Sequence, residues 1–125
     1  MTRIGDEVLR ELEIEDICAI KIDVEGAELA VLLGLQSTLR SCRPSVIFEV
    51  NPNFSGKTER IMHPHARCVR NQASADAIHG LLSGVGYNIM QIDDQGGETK
   101  IGRFELDDRV NYFGNNFIAH PADRC

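Results

Sequence analysis

The chain has four cysteines, Cys18, Cys42, Cys68 and Cys125, and none of them forms a C-x-x-C pair. That spacing excludes a zinc ribbon and a disulfide framework, and free thiols in a reducing cytoplasm are the expectation. No apolar run approaches the ~20 residues of a spanning helix. The opening stretch Met1-Thr2-Arg3-Ile4-Gly5-Asp6-Glu7 has no apolar segment of the kind a signal peptide carries. A cytoplasmic protein with no membrane partner is therefore expected. Cations are also short: 13 Lys and Arg face 19 Asp and Glu, for a net charge of −6. Binding to a phosphate backbone needs the opposite surplus, so nucleic acid is not an expected partner. There is no Gly-rich phosphate loop, no G-x-S-x-G and no H-E-x-x-H. The Gly96-Gly97 pair sits in a turn cluster and does not lead from a strand into a helix.

What is present reads as one α/β domain at most, since 125 residues at 42% hydrophobic can form a single modest core. Residues 6–13 carry Val8, Leu9 and Leu12 at helical spacing. Residues 17–23 are a strand whose near-continuous apolar run predicts burial on both faces and a parallel sheet. Residues 26–41 form one amphipathic helix through Val31, Leu32, Leu35 and Leu39. A second strand spans 45–51, with Pro44 before it. A right-handed crossover would make the two strands parallel neighbours. Residues 52–73 show no period and read as a long loop. Ser74 is placed to cap a further helix through Ile78, Leu81, Leu82 and Val85, ended by Gly84 and Gly86. Tyr87 to Ile92 is a third strand, Asp93 to Gly97 a turn, 98–113 irregular, and Asn116 to His120 a last strand antiparallel to 87–92.

Chemistry concentrates where the first two strands end. In open α/β sheets ligands bind outside the carboxyl ends of the strands. Asp23 and Glu49 fall there, and Glu25 and Gly26 follow in the turn before the helix. Alternation puts Lys21 and Asp23 on one face. If the strands are neighbours, Asp23 and Glu49 lie near one another with Lys21 able to bridge them. A charge inside a parallel strand should be paired, because burying it alone is costly. The set can act as a general base, a metal ligand or a substrate clamp. It can equally be a structural ion pair or helix cap. Glu28 reads as a cap for the helix it opens, and Gly26 allows close backbone approach. His63-Pro64-His65-Ala66-Arg67-Cys68 carries metal-capable types, but nothing in the sequence completes a tetrahedral set, so no metal site is assigned. His79 and His120 read as structural or surface residues. Asn51-Pro52-Asn53-Phe54 follows the second strand and fits either substrate contact or a plain turn.

The run Ile20-Lys21-Ile22-Asp23-Val24-Glu25-Gly26-Ala27-Glu28, then Val31-Leu32-Leu33-Gly34, then Arg43-Pro44-Ser45-Val46-Ile47-Phe48-Glu49-Val50, closely resembles the FkbM-type family of S-adenosylmethionine-dependent methyltransferases. The likeness is specific over 17–50 and looser over 1–16 and 74–120. It implies the C-terminal half of a Rossmann-like seven-stranded sheet: two parallel strands, helices and a closing antiparallel hairpin. On that reading residues 1–125 are a partial methyltransferase domain. The first strands, the Gly-rich cofactor loop and the ribose-holding acid of the family pattern are missing. The resemblance also implies S-adenosylmethionine as cofactor and a hydroxyl of a small molecule or glycan as acceptor. Asp23, with Glu25 and Glu49, would be catalytic, and Lys21, Asp23 and Gly26 would contact the cofactor. A chain of this extent is expected to be inactive alone. The competing expectation is a non-catalytic half-domain completed by a partner chain or by self-association through an exposed sheet edge.

Overall fold

A computed structural model describes residues 2–50, 64–105 and 116–123, with backbone only over 64–71. The elements run α1 (Gly5–Glu11), β1 (Ala19–Ile22), α2 (Glu28–Leu33), α3 (Gln36–Ser41), β2 (Ser45–Glu49), α4 (Pro64–Gly84), β3 (Tyr87–Ile92), β4 (Glu98–Lys100) and β5 (Asn116–Pro121). The strands make one sheet in the order β1-β2-β5-β3-β4. β1 and β2 are parallel, with Ala19 opposite Ser45 and Ile22 opposite Phe48. β5 lies antiparallel between β2 and β3, and β4 pairs antiparallel with β3. This is a mixed α/β fold with the expected parallel pair and closing antiparallel strands. The described sheet has five strands, against the seven that the resemblance implies.

Strand alternation sets the core. Ile22, Val46, Phe48, Tyr87, Ile89, Phe117 and Ala119 are buried together with Leu32 and Leu39, and with Ala75, Ile78 and Leu82 of α4. Phe104 fills the centre, edge-on to Phe117 at 4.7 Å between ring centroids and to Phe48 at 6.1 Å. The other face of the sheet is more open, with Lys21 and Ile47 exposed and Ser45 and Glu49 half-buried.

Several sequence expectations need correction. β1 is not buried on both faces. It ends the sheet, so Cys18, Ala19 and Lys21 are exposed. The helix expected over 26–41 is two helices. Gly34 N–H completes a bond to Ala30 O, but the bond that a continuous helix would make from Thr38 N–H to Gly34 O is replaced. Asp6 N–H takes Gly34 O at 2.8 Å, and the Asp6 carboxylate takes Thr38 N–H at 3.0 Å. One residue of α1 thus supplies both halves of the exchanged bond. Gly5 permits the approach, because a Cβ there would sit 2.6 Å from Leu35 Cδ2. Ser74 does not cap a helix: α4 starts ten residues earlier, at Pro64, a residue suited to the first helical position. So 64–73, read as loop, is helical. Glu98–Lys100, read as irregular, pairs with β3 although every residue in it is exposed. The Asp93 carboxylate holds the intervening turn by accepting from the Gln95 and Gly97 amides.

Candidate functional site

The site lies where β1 and β2 end. Their register puts Ile22 opposite Phe48, so the next residues, Asp23 and Glu49, leave the strands at the same level. Neighbouring strands run about 4.8 Å apart, and both residues share the face of Lys21 and Ile47. The parallel pairing thus brings together the two carboxylates expected to meet. It does so at an edge and not in an interior. The Lys21 side chain is 71% exposed and that of Asp23 59%, and they meet at 3.5 Å. Such a pair contributes about 0–1 kcal/mol. The buried, compensated charge expected from the sequence is not seen here, because among the described residues β1 has no neighbour on its outer side. Lys21 also does not bridge the acids: among the described residues it contacts Asp23 and not Glu49.

The turn after Asp23 is backbone-strained. Glu25 has φ 51° and Gly26 φ 101°, with Ala27 N–H closing on Val24 O at 3.4 Å. A glutamate in the left-handed region is uncommon and is held there by its surroundings. Gly26 meets the second positive φ, so its glycine serves the turn's conformation and not only close packing. Gly26 N–H donates to Glu28 Oε1 at 3.1 Å, and Glu28 is buried. The helix cap expected of Glu28 is not what the structure shows: the N-cap position of α2 is Ala27, with no side-chain cap bond, and Glu28 instead holds the preceding turn from the first residue of α2. Glu25 itself is exposed.

The remaining candidates lie elsewhere or outside the described residues. Asn51 to Phe54 and His63 are outside them, and the side chains of 64–71 are not described, so the 63–68 run has no geometry here. His79 stacks edge-on against Phe104. His120 does more than the sequence suggested. Its Nδ1 lies 3.1 Å from Ser45 Oγ, and its Nε2 lies 3.2 Å from Glu98 Oε2. These partners are distant in sequence, and no local pattern announces them. No group of three or more metal-capable side chains occurs among the described residues.

A groove of about 590 Å³ opens at the other end of β1, lined by residues of α1, α3 and the 13–15 turn. Asp6 forms part of its wall and caps α3, accepting from Ser37 N–H, Thr38 N–H and Thr38 Oγ1. Burial raises the Asp6 pKa. The Thr38 hydroxyl, the two amides and the charge of Arg10 outweigh that, and the carboxyl is held below its ordinary 3.8. The groove lies at the amino-terminal end of the parallel strands, away from where such sheets bind ligands. Of its three acids, Asp6, Glu13 and Glu15, Asp6 is already committed to a helix cap. The open strand-end carboxylates therefore remain the better candidate for chemistry.

No helix among the described residues is long and apolar enough to cross a membrane. Neither the curated proteins nor the solved structures include a match. The family model described as Methyltransferase FkbM domain matches residues 1–89, which take in α1 through α4 and the first half of β3, with both strand-end carboxylates. The chain belongs to the FkbM methyltransferase domain family.

Proposed function

We propose that this chain contributes the acceptor-side half of an S-adenosylmethionine-dependent O-methyltransferase acting on a hydroxyl of a small molecule or glycan. The observation that carries the proposal is the level exit of Asp23 and Glu49 from parallel neighbours, within the family match. The residues suit the cationic end of the cofactor, because exposed Asp23 and half-buried Glu49 offer carboxylates on an open face. Lys21, Asp23 and Gly26 would contact it. When bound, the cofactor supplies an activated methyl group. Asp23 Oδ takes the proton of the acceptor hydroxyl as its oxygen is methylated. Glu49 and Glu25 orient the reacting groups, and in an in-line displacement such positioning supplies much of the rate. No Gly-rich turn between a strand and a helix lies among the described residues to hold the adenosine portion, and the chain alone is expected to be inactive. Free Cys18 and Cys42 suit a reducing cytoplasm.

The test is Asp23→Asn in a polypeptide that carries a cofactor-binding strand ahead of β1. Turnover should fall about 10²–10⁴-fold, the usual contribution of a positioned base. Circular dichroism should be unchanged. Full turnover in the variant would remove Asp23 from the mechanism.

A second reading is favoured by a separate observation. β1 ends the sheet with an exposed edge. Such an edge seeks a partner strand, so a half-domain that completes itself by self-association is the alternative.

A further inference from the structure

We infer that Asn116 is a specificity-determining residue of the strand-end site. With Glu49 it holds a second hydroxyl of the methyl acceptor, beside the hydroxyl that reacts at Asp23. This deepens the methyltransferase reading and rests on it.

The placement comes from the sheet. β2 and β5 are antiparallel neighbours, so the first residue of β5 lies at the carboxyl end of β2, and the register sets Asn116 directly opposite Glu49. One step back along β2, Phe48 and Phe117 are opposite each other and stack on the core side, with 5.9 Å between ring centroids. Side chains alternate along a strand, so the next pair, Glu49 and Asn116, points to the other face. Burial agrees: Phe48 and Phe117 are buried, Glu49 is half-buried and Asn116 is exposed. Directly opposed residues of an antiparallel pair have Cβ atoms roughly 4.5–5.5 Å apart. β5 lies beyond the matched residues 1–89, so the family match assigns nothing to Asn116.

The pair offers what the acids alone do not. An ionised carboxylate only accepts hydrogen bonds, whereas a side-chain amide both donates and accepts without carrying charge. A hydroxyl lying between Glu49 and Asn116 has both of its capacities met. Its O–H donates to the Glu49 carboxylate, and its oxygen accepts from Asn116 Nδ2–H. Lys21 does not supply that donor, because among the described residues its ammonium meets Asp23 and not Glu49. Glu49 in turn lies about one strand spacing, ~4.8 Å, from Asp23. The held hydroxyl is therefore a neighbour of the reacting one. A methyl acceptor with a single hydroxyl leaves the pair unfilled. A polyol fills both positions and is oriented by two anchors, which is what an in-line displacement needs.

The experiment is titration of the isotope-labelled 125-residue chain with myo-inositol, a ring with a hydroxyl on every carbon, and with cyclohexanol, the same ring with one. Two-dimensional NMR reads the Asn116 side-chain amide and the backbone amides of residues 23–26, 49 and 116. Inositol should shift these signals saturably, and cyclohexanol should bind about tenfold more weakly or worse. Asn116→Asp keeps the shape but loses the donor, and should weaken inositol binding about tenfold or more. Asn116→Gln keeps the amide and should bind within a few-fold of the native chain, a rescue that a purely structural role does not predict. Circular dichroism of each variant controls for folding. Equal binding of the two alcohols, native-like binding by Asn116→Asp, or failure of Asn116→Gln to bind overturns the role of Asn116. Inositol that shifts none of these signals overturns the second-hydroxyl clamp altogether. None of these results bears on Asp23 as a base, which is read from turnover. Loss of turnover in Asp23→Asn beside an indifferent Asn116 leaves the methyltransferase reading standing and this inference overturned.

Discussion

The two ends of the β1–β2 pair are built differently. At the amino-terminal end two side chains, Arg43 and Asp6, bind groups distant in sequence. Arg43, between α3 and β2, donates to Val85 O, to Gly86 O at 3.1 Å and to Asp123 at 2.5 Å, and its guanidinium lies 5.1 Å from the Tyr87 ring centroid. Tyr87 Oη donates to Leu39 O, and Asp6 caps α3. At the carboxyl end Asp23 and Glu25 are exposed, the Lys21–Asp23 ion pair is long, and the turn holds two positive φ angles. Hydrogen bonds to distant partners fix the first end. Exposed carboxylates mark the second, and left-handed residues occur at both, Glu13 and Arg43 at the first and Glu25 at the second. The difference teaches that stability and chemistry are separated along the same two strands, so substitutions at the two ends should move different measurements.

The sharpest way to break this contrast is Arg43→Ala. It removes charge-assisted bonds to two carbonyls and the contact with Tyr87, and should cost about 2–4 kcal/mol in urea unfolding. Arg43→Lys should recover only a small part, because an ammonium cannot span the same fork of acceptors. If the amino-terminal end were as loosely held as the carboxyl end, Arg43→Ala would cost no more than a surface substitution.

Asp6→Ala should cost about 1–2 kcal/mol, the usual value of a helix N-cap. Its pH dependence has a definite sign. A carboxyl held below its unfolded value adds stability that is present above that value and is lost as pH falls through the folded one. The gap between the native chain and Asp6→Ala should be constant well above pH 3.8 and close as acid is added below it. Chemical denaturation at a series of pH values measures this directly. A gap that persists unchanged in strong acid would mean that packing, and not the carboxylate, carries the contribution.

How much of this was legible in the sequence follows from the range of the interactions. β3 was read correctly because its apolar residues and flanking glycines are local signals. The site residues were legible for the same reason: Asp23, Glu25 and Gly26 sit together where an apolar run meets a helix pattern. The break between α2 and α3 was not legible, because it is made by Asp6, which is far away in sequence. The early start of α4 was missed because 64–73 shows no apolar face. β4 was missed because its three exposed residues have no apolar alternation. The exposure of β1 was misread for a different reason. Its sequence reads as an interior parallel strand, and only the order of the whole sheet puts it at an edge.

The finest test of the contrast lies in the turn. Gly26→Ala places a Cβ at φ 101° and should destabilise by about 1–2 kcal/mol. Glu25→Gly relieves the neighbouring left-handed glutamate and should stabilise by about 0.5–1 kcal/mol, despite the added freedom of the unfolded chain. The opposite signs at adjacent positions make the pair informative, since a general loss of turn contacts would push both the same way. If Glu25→Gly gains stability and also lowers turnover in the cofactor-competent polypeptide, the strain at Glu25 holds its carboxylate for function. If it gains stability with turnover intact, Glu25 drops out of the site. Positioning would then rest on Glu49, which leaves its strand level with Asp23.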